Sequence, residues 1–193
     1  MIKVAAPAQA QSVTSVIATA FQPLAVAQWL VPDPQLRQVV LHDDFRIFVD
    51  HALQHGFIHM TEDELGVAVW FPRDREPIPE PERYQERLAA ATGDAADRFR
   101  HLDELFEKHH PSEPHHHLAF LAVHPNGQRK GRGSTLLAHH HAQLDATGTA
   151  AYLEATSEDA VRLYERHGYE VMQEPFTLPN GTPMWPMWRK PRR

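Results

Sequence analysis

The segment VHPNGQRKGRGSTLL, residues 123–137, limits the fold of this chain more than any other stretch. An unbroken apolar run, LAFLAV at 118–123, leads into it. A helical pattern over about 133–147, closed by Gly148, leads out of it. Continuous apolar runs suit a strand covered on both faces. A second such run, AAYLEA at 150–155, follows, and then SEDAVRLYERHG at 157–168 reads as a helix. Its N-cap is Ser157, Glu158 and Asp159 stand in its first turn, and Gly168 ends it. Strand, loop, helix, strand, helix in that order predicts an α/β unit with mixed strands.

A strand that enters a helix through a glycine-rich loop is suited to an anion. The first helical N–H groups have no partner inside the helix, and the positive end of its dipole lies there. Glycine lets main chain approach phosphate oxygens closely. Gly131 and Gly133 bracket the turn, and Arg129, Lys130 and Arg132 offer charge-assisted contacts. Two familiar phosphate patterns are excluded. Counting from Gly127, the second glycine of a P-loop would fall on Arg132; the third glycine of a dinucleotide fingerprint would fall on Leu136. The formal net charge of −6 argues against a nucleic-acid partner for so short a basic stretch.

The rest of the chain fills in a single domain spanning 1–193. Helical patterns are predicted at 9–21, with Val13, Val16, Ile17 and Ala20 on one face, and at 34–55, carrying Leu36, Val40, Ile47 and Phe48 and closed by Gly56. Two more follow at 82–91 and 94–108, the second striped by Phe99, Leu102 and Phe106. Pro23, Pro32 and Pro34 predict a loop around Trp29. FIHMTEDELGVAVWFP reads as a hairpin with strands near 57–61 and 65–71, residues 72–81 as irregular, and HHPSEPHHH as a loop. Pro179-Asn180-Gly181 predicts a final hairpin, with Pro183 and Pro186 confining its last strand to an edge or a bulge. There is no cysteine, which excludes disulfides and thiolate chemistry. Polar residues interrupt the apolar N-terminal stretch, and no run reaches the length of a membrane span, so a cytoplasmic protein is expected. The 15 histidines cluster at 109–110, 115–117 and 139–141. Adjacent histidines on a helix point about 100° apart, so these are read as solvated surface, with no metal site.

Val123, Pro125, Gln128, Gly131 and Gly133 complete the pattern V-x-P-x-x-[QR]-x-x-G-x-[GA]. LYERHGY at 163–169 supplies a second segment of the form L-Y-x-x-x-G-F. Together they resemble the GCN5-related N-acetyltransferases (GNAT). The resemblance implies an α/β (α+β) fold, with a mixed central sheet of about seven strands flanked by helices. It implies acetyl-coenzyme A as co-substrate, its pyrophosphate held by Gln128, Arg129, Lys130, Gly131, Arg132, Gly133 and Ser134. Arg132 stands where the family usually has an apolar residue. The strand ending in Leu121, Ala122 and Val123 is implied to splay and to pair with the pantetheine through its main chain. Ser157, where the family often has asparagine, would hold the pantetheine arm.

Tyr164 is the implied general acid and a cofactor contact; it also reads as a packed residue on an amphipathic helix. Glu154 is the candidate base, directly or through a water, with a structural carboxylate as the alternative. A histidine of 115–117 is a weaker candidate for relaying the proton. Trp29 and Trp70 are candidates to line the acceptor pocket, as are Trp185 and Trp188. The function so implied is acetylation of a primary amine on a small molecule. A protein N-terminus or lysine as acceptor, and a non-catalytic acyl-coenzyme A sensor, are the alternatives. Neither nucleic acid nor membrane is expected as a partner, and the chain is expected as a monomer or homodimer.

Overall fold

The computed structural model of the protein describes residues 1–73 and 77–192. Its helices are α1 (Ala10–Phe21), α2 (Ala25–Leu30), α3 (Pro34–His55), α4 (Tyr84–Thr92), α5 (Ala96–His109), α6 (Arg132–Thr147) and α7 (Glu158–Arg166). Its strands are β1 (Ile2–Val4), β2 (Phe57–Thr61), β3 (Gly66–Arg73), β4 (His115–Val123), β5 (Ala150–Ala155), β6 (Tyr169–Val171), β7 (Phe176–Thr177) and β8 (Pro183–Arg189). The sheet runs β1-β2-β3-β4-β5-β8-β6, with β7 paired to β8. Among the described residues, only β4 and β5 are parallel; the other ladders are antiparallel. The mixed sheet is the expected one, and the two-residue β7 makes it eight strands where about seven were expected.

Two hydrophobic clusters cover the two faces. On one, Val13 and Ile17 of α1, Leu41 and Val49 of α3 and Phe99 of α5 pack on Met60, Val67 and Val69. On the other, Leu136, Leu137 and Leu144 of α6 pack on Ala68, Trp70, Ala151, Leu153 and Met187. Helix α3 starts where local chemistry dictates. The Asp33 carboxylate accepts from the N–H groups of Gln35 (2.8 Å) and Leu36 (3.2 Å), and Pro34 fills the first helical position.

Several expectations fail for physical reasons. The proline-punctuated loop holds the short helix α2, which buries Val26, Ala27 and Leu30. Leu36 is 59% exposed, and the buried stripe of α3 runs through Leu41, Phe45, Ile47, Val49 and Ala52. Pro72 and Arg73 belong to β3; residues 74–76 of the same expected irregular stretch lie outside the described residues. His115–His117 are the start of β4 and not a loop.

The histidines are not uniformly solvated either. His59, His115, His140 and His141 are at most 5% exposed. Most of their ring nitrogens find buried partners: His59 Nε2 lies 2.9 Å from His140 Nδ1, His140 Nε2 lies 3.0 Å from His116 Nδ1, and His141 Nε2 lies 3.0 Å from the Tyr169 hydroxyl, while His59 Nδ1 has no partner among the described residues.

Finally, β8 is an interior strand between β5 and β6, despite Pro186. The Pro186 carbonyl accepts from Met172 N–H (2.9 Å), so its donor-less nitrogen faces the same side. On that side Pro186 faces Met172, just past the end of β6 at Val171, so the missing donor falls where the β6 ladder stops and the β5 ladder is untouched.

Candidate active site

The one parallel ladder is short. β4 and β5 pair at His115↔Ala150, His116↔Ala151 and His117↔Tyr152. Beyond that, β4 stays with β3 as far as Val123↔Gly66, and β5 stays with β8 as far as Ala155↔Trp185. A wedge-shaped gap opens between them. His124 N–H donates to Leu65 O (2.7 Å), which fixes the alternation along β4. Phe120 and Ala122 turn their main-chain groups to β3, so Leu121 and Val123 turn theirs into the gap. Ala122 is thus unlike the two residues it was grouped with. The Val123 carbonyl accepts from Gln128 Nε2 (3.1 Å), so Gln128 ties the end of the strand to the loop.

The loop runs through a single helical turn at Pro125–Gly127, then through Arg129 (φ 59°) and Gly131 (φ 75°), into α6. No side chain caps α6. Its first ladder bond is Thr135 N–H to Gly131 O (2.9 Å), which leaves the amides of Arg132, Gly133 and Ser134 without helical acceptors. A Cβ placed on Gly133 would meet only Leu121 Cδ2 at 3.7 Å and Val123 Cγ2 at 4.0 Å, both ordinary contacts. No packing inside the chain calls for glycine there. A group brought close to the main chain from outside does.

Arg129 and Lys130 are exposed and have no ion-pair partner among the described residues. Arg132 is different. Its guanidinium turns back to donate to the Asp63 carboxylate and to Gly127 O (2.8 Å). Arg132 therefore braces the loop and does not line its mouth. The guanidinium holds the Asp63 carboxyl well below the usual carboxylate range.

Acid and base candidates flank the gap from opposite faces. Ala151, Leu153 and Ala155 point to the α6 side, so Glu154 points the other way. Its side chain is 5% exposed and its Oε2 accepts from His117 Nε2 at 2.9 Å. Its Oε1 is buried with no hydrogen-bond partner. Tyr164 is half-buried on the α6 side, where it and Leu121 pack on one cluster. Burial raises its phenol, which keeps the proton at neutral pH, and its hydroxyl has no hydrogen-bond partner among the described residues. Ser157 caps α7, its Oγ accepting from Ala160 N–H (3.1 Å), which leaves its own hydrogen to donate.

The tryptophans are not brought together. Trp70 is fully buried, stacked on His140 at 4.2 Å, so it is a core residue and not a pocket wall. Trp29 stands on α2 beside a surface recess shared with Gln28 and Arg98. Trp185 packs on the α6-side cluster, and Trp188 lies 5.4 Å from the His115 ring.

Sequence reasoning missed an aromatic and acidic group on the Glu154 side. Phe120 of β4 meets Phe45 (5.0 Å), Phe21 (5.8 Å) and Phe48 (5.9 Å). Tyr84 donates to Asp103 (2.5 Å), next to a buried Asp44 whose carboxyl is pushed up by burial and by Asp103. Apart from Phe120 in β4, these residues lie well upstream of the glycine-rich loop, and no local pattern ties them to it. Among the described residues, no helix is long and apolar enough to cross a membrane.

Residues 95–171, which contain β4, the loop, α6, β5 and α7, match the model of the acetyltransferase (GNAT) domain. Among solved structures, the chain is similar to the Corynebacterium glutamicum protein described as histone acetyltransferase HPA2 and related acetyltransferase. The identity is 27%, the TM-score is 0.71, and the match covers 100% of this chain and 97% of that one. It shares the fold of Aedes aegypti arylalkylamine N-acetyltransferase 2 at 14% identity and TM-score 0.62, covering 100% and 99% of the two chains. It also shares the fold of the Escherichia coli ribosomal-protein-S18-alanine N-acetyltransferase at 15% and 0.56, covering 100% and 94%. The architecture is that of the GNAT acetyltransferases.

Proposed function

We propose that this chain, with a GNAT fold over its length and a matched acetyltransferase domain over residues 95–171, transfers an acetyl group from acetyl-coenzyme A to a primary amine of a small molecule. The observation that carries this reading is the wedge between β4 and β5. It opens beside an uncapped helix start whose Gly133 has no internal reason to be glycine. The residues present fit the coenzyme. The amides of Arg132, Gly133 and Ser134, with Arg129 and Lys130, suit the diphosphate, and the main chain of Leu121 and Val123 suits an amide-bearing arm laid along β4 as an extra strand. Ser157 can donate to the same arm.

The co-substrate supplies the thioester. Glu154, directly or through His117, takes a proton as the amine nitrogen bonds to the carbonyl carbon. Tyr164 gives a proton to the sulfur as the C–S bond breaks, and regains it from solvent. The gap-facing amides of β4 are placed to stabilise the oxyanion.

For the acceptor, the half-buried rings of Phe48, Phe120 and Tyr84 suit an apolar or aromatic body, and the carboxyls of Asp44 and Asp103 suit a cationic amine. The segments 117–193 and 64–72 also resemble puromycin N-acetyltransferase, which favours an antibiotic-like or xenobiotic amine. The Corynebacterium neighbour's description makes a histone-type lysine the second reading.

Thiol release measured with a panel of arylalkylamines, aminonucleosides and a histone-tail peptide tests both readings. Turnover with a small amine supports the first, and turnover with the peptide alone supports the second. Thermal protection by the coenzyme without thiol release would instead indicate a sensor. With the best amine, Tyr164→Phe is expected to lower kcat by about a hundredfold while coenzyme Kd changes less than about threefold. An unchanged kcat would remove the hydroxyl from the mechanism.

A further inference from the structure

The Glu154 side of the sheet also carries a set of nitrogen and oxygen ligands. His110 at the end of α5, His117 in β4 and Glu154 in β5 each bring one ligand atom, and these lie within 4.8 Å of one another.

Hydrogen bonds settle how His110 is presented. His115 Nδ1 lies 2.6 Å from the Glu113 carbonyl oxygen, which only accepts, so Nδ1 carries the hydrogen. The neutral His115 ring then offers Nε2 as an acceptor, 3.0 Å from His110 Nε2. His110 Nε2 must donate, and His110 Nδ1 keeps its lone pair. A ligating imidazole is typically oriented through such a bond from its other nitrogen.

The Glu154 carboxylate is 95% removed from solvent, and one of its oxygens has no hydrogen-bond partner. A buried carboxylate oxygen with no hydrogen-bond partner is under-compensated, and a cation relieves it. Two neutral imidazoles with one carboxylate are the donor set of zinc and its borderline relatives. Zinc–ligand distances of about 2.0–2.2 Å imply donors about 3.4 Å apart, so closing around the ion needs side-chain movements of about 1 Å. The rings of Tyr152, at 4.9 Å from His110 and 5.6 Å from His117, and of Trp188 beside His115 form the surrounding walls.

We propose that His110, His117 and Glu154 form a binding site for a zinc-type divalent cation. Its occupancy arrests acetyl transfer, because the ion engages the carboxylate and imidazole that would take the amine's proton. The arrest rests on the function proposed above; the binding does not.

Full-length protein, stripped with chelator and desalted, is titrated with cobalt(II) in the visible region and with zinc by calorimetry. His110→Gln and Glu154→Gln are titrated in parallel, each checked by far-UV circular dichroism. The expected result is one equivalent of cobalt with the intense bands of low coordination, displaced by zinc, and affinity at least tenfold weaker in each folded variant. If one variant does not fold, the other decides.

No cobalt bands and no heat at millimolar metal would overturn the site. So would equal affinity in wild type and variants, which would place the ion elsewhere among the histidines. In the amine assay, the rate with zinc divided by each protein's own metal-free rate is expected to be well below one for wild type and near one for His110→Gln. Zinc bound at the triad with no such fall overturns the arrest. Cobalt bound as expected with no amine acetylated supports the site and removes the enzyme reading instead.

Discussion

At the scale of single residues, two glycines in the loop stand for different demands. Gly131 sits at φ 75°, where any side chain is strained. Gly133 lies inside α6 with room for a methyl group. Gly133→Ala is therefore expected to leave the melting temperature unchanged or raised, since alanine is favoured over glycine in a helix by about 1 kcal/mol. The added methyl stands where a diphosphate would meet the main chain, so coenzyme Kd is expected to rise about tenfold or more. Calorimetry beside a thermal melt separates the two effects, and unchanged affinity would mean the amides are not used.

The sequence pattern marks both glycines, and the spacing of 163–169 marks Tyr164. It says nothing of Arg132's true partner. Asp63 lies 69 positions away, on a hairpin turn that no local spacing ties to the loop. The pairing of Glu154 with His117 is hidden in the same way, because it depends on which strands lie side by side.

At the scale of elements, the phosphate-type loop does not stand alone. The β2–β3 turn presents Asp63, held by Thr61 Oγ1 (2.6 Å) and Leu65 N–H (3.2 Å), to the guanidinium of Arg132. A Cβ on Gly127 would sit 2.9 Å from Leu65 Cβ, so the loop lies directly on that turn. Asp63→Ala should loosen the brace without opening the core, because exposed ion pairs contribute little to stability. The expected outcome is coenzyme affinity reduced about three- to tenfold by lost preorganisation, with kcat at saturation nearly unchanged. A protein that melts much lower, or binds as before, would contradict the brace.

Helices α1, α3 and α6 and the β2–β3 hairpin are legible in the chain from apolar patterning together with end signals, such as Pro34 and Gly56 around α3 and Gly148 after α6. The sequence alone starts β4 at 118, because three histidines look like loop. They are tolerated in a strand because His116 and His117 bond to His140 and Glu154, and such partners are not visible locally. The interior place of β8 is hidden for a related reason: how much a proline costs a ladder depends on where the neighbouring strand ends.

At the scale of the whole molecule, buried imidazoles tie stability to pH. Desolvation lowers His59 to about 4, His141 to about 3 and His140 to about 2, against 6.5 for an ordinary histidine. Below pH 6.5 the unfolded chain takes up protons that the folded chain refuses, so stability falls as pH falls, by up to about 1.4 kcal/mol per pH unit per imidazole. Asp44 and Asp103, whose folded pKa values are raised, act in the opposite sense above an ordinary value of 3.8 and offset part of this. The net loss between pH 6.5 and 5 is expected to be at least about 2 kcal/mol, read from urea midpoints across that range. A flat profile would mean that these imidazoles are reached by solvent or already charged.

Only three rungs, at His115, His116 and His117, stitch the sheet's leading half to its trailing half. Whatever slides into the cleft beyond them acts as a splint. It would lengthen the seam with its own amides and make the two halves move as one, so that gripping the donor and stiffening the body become a single event.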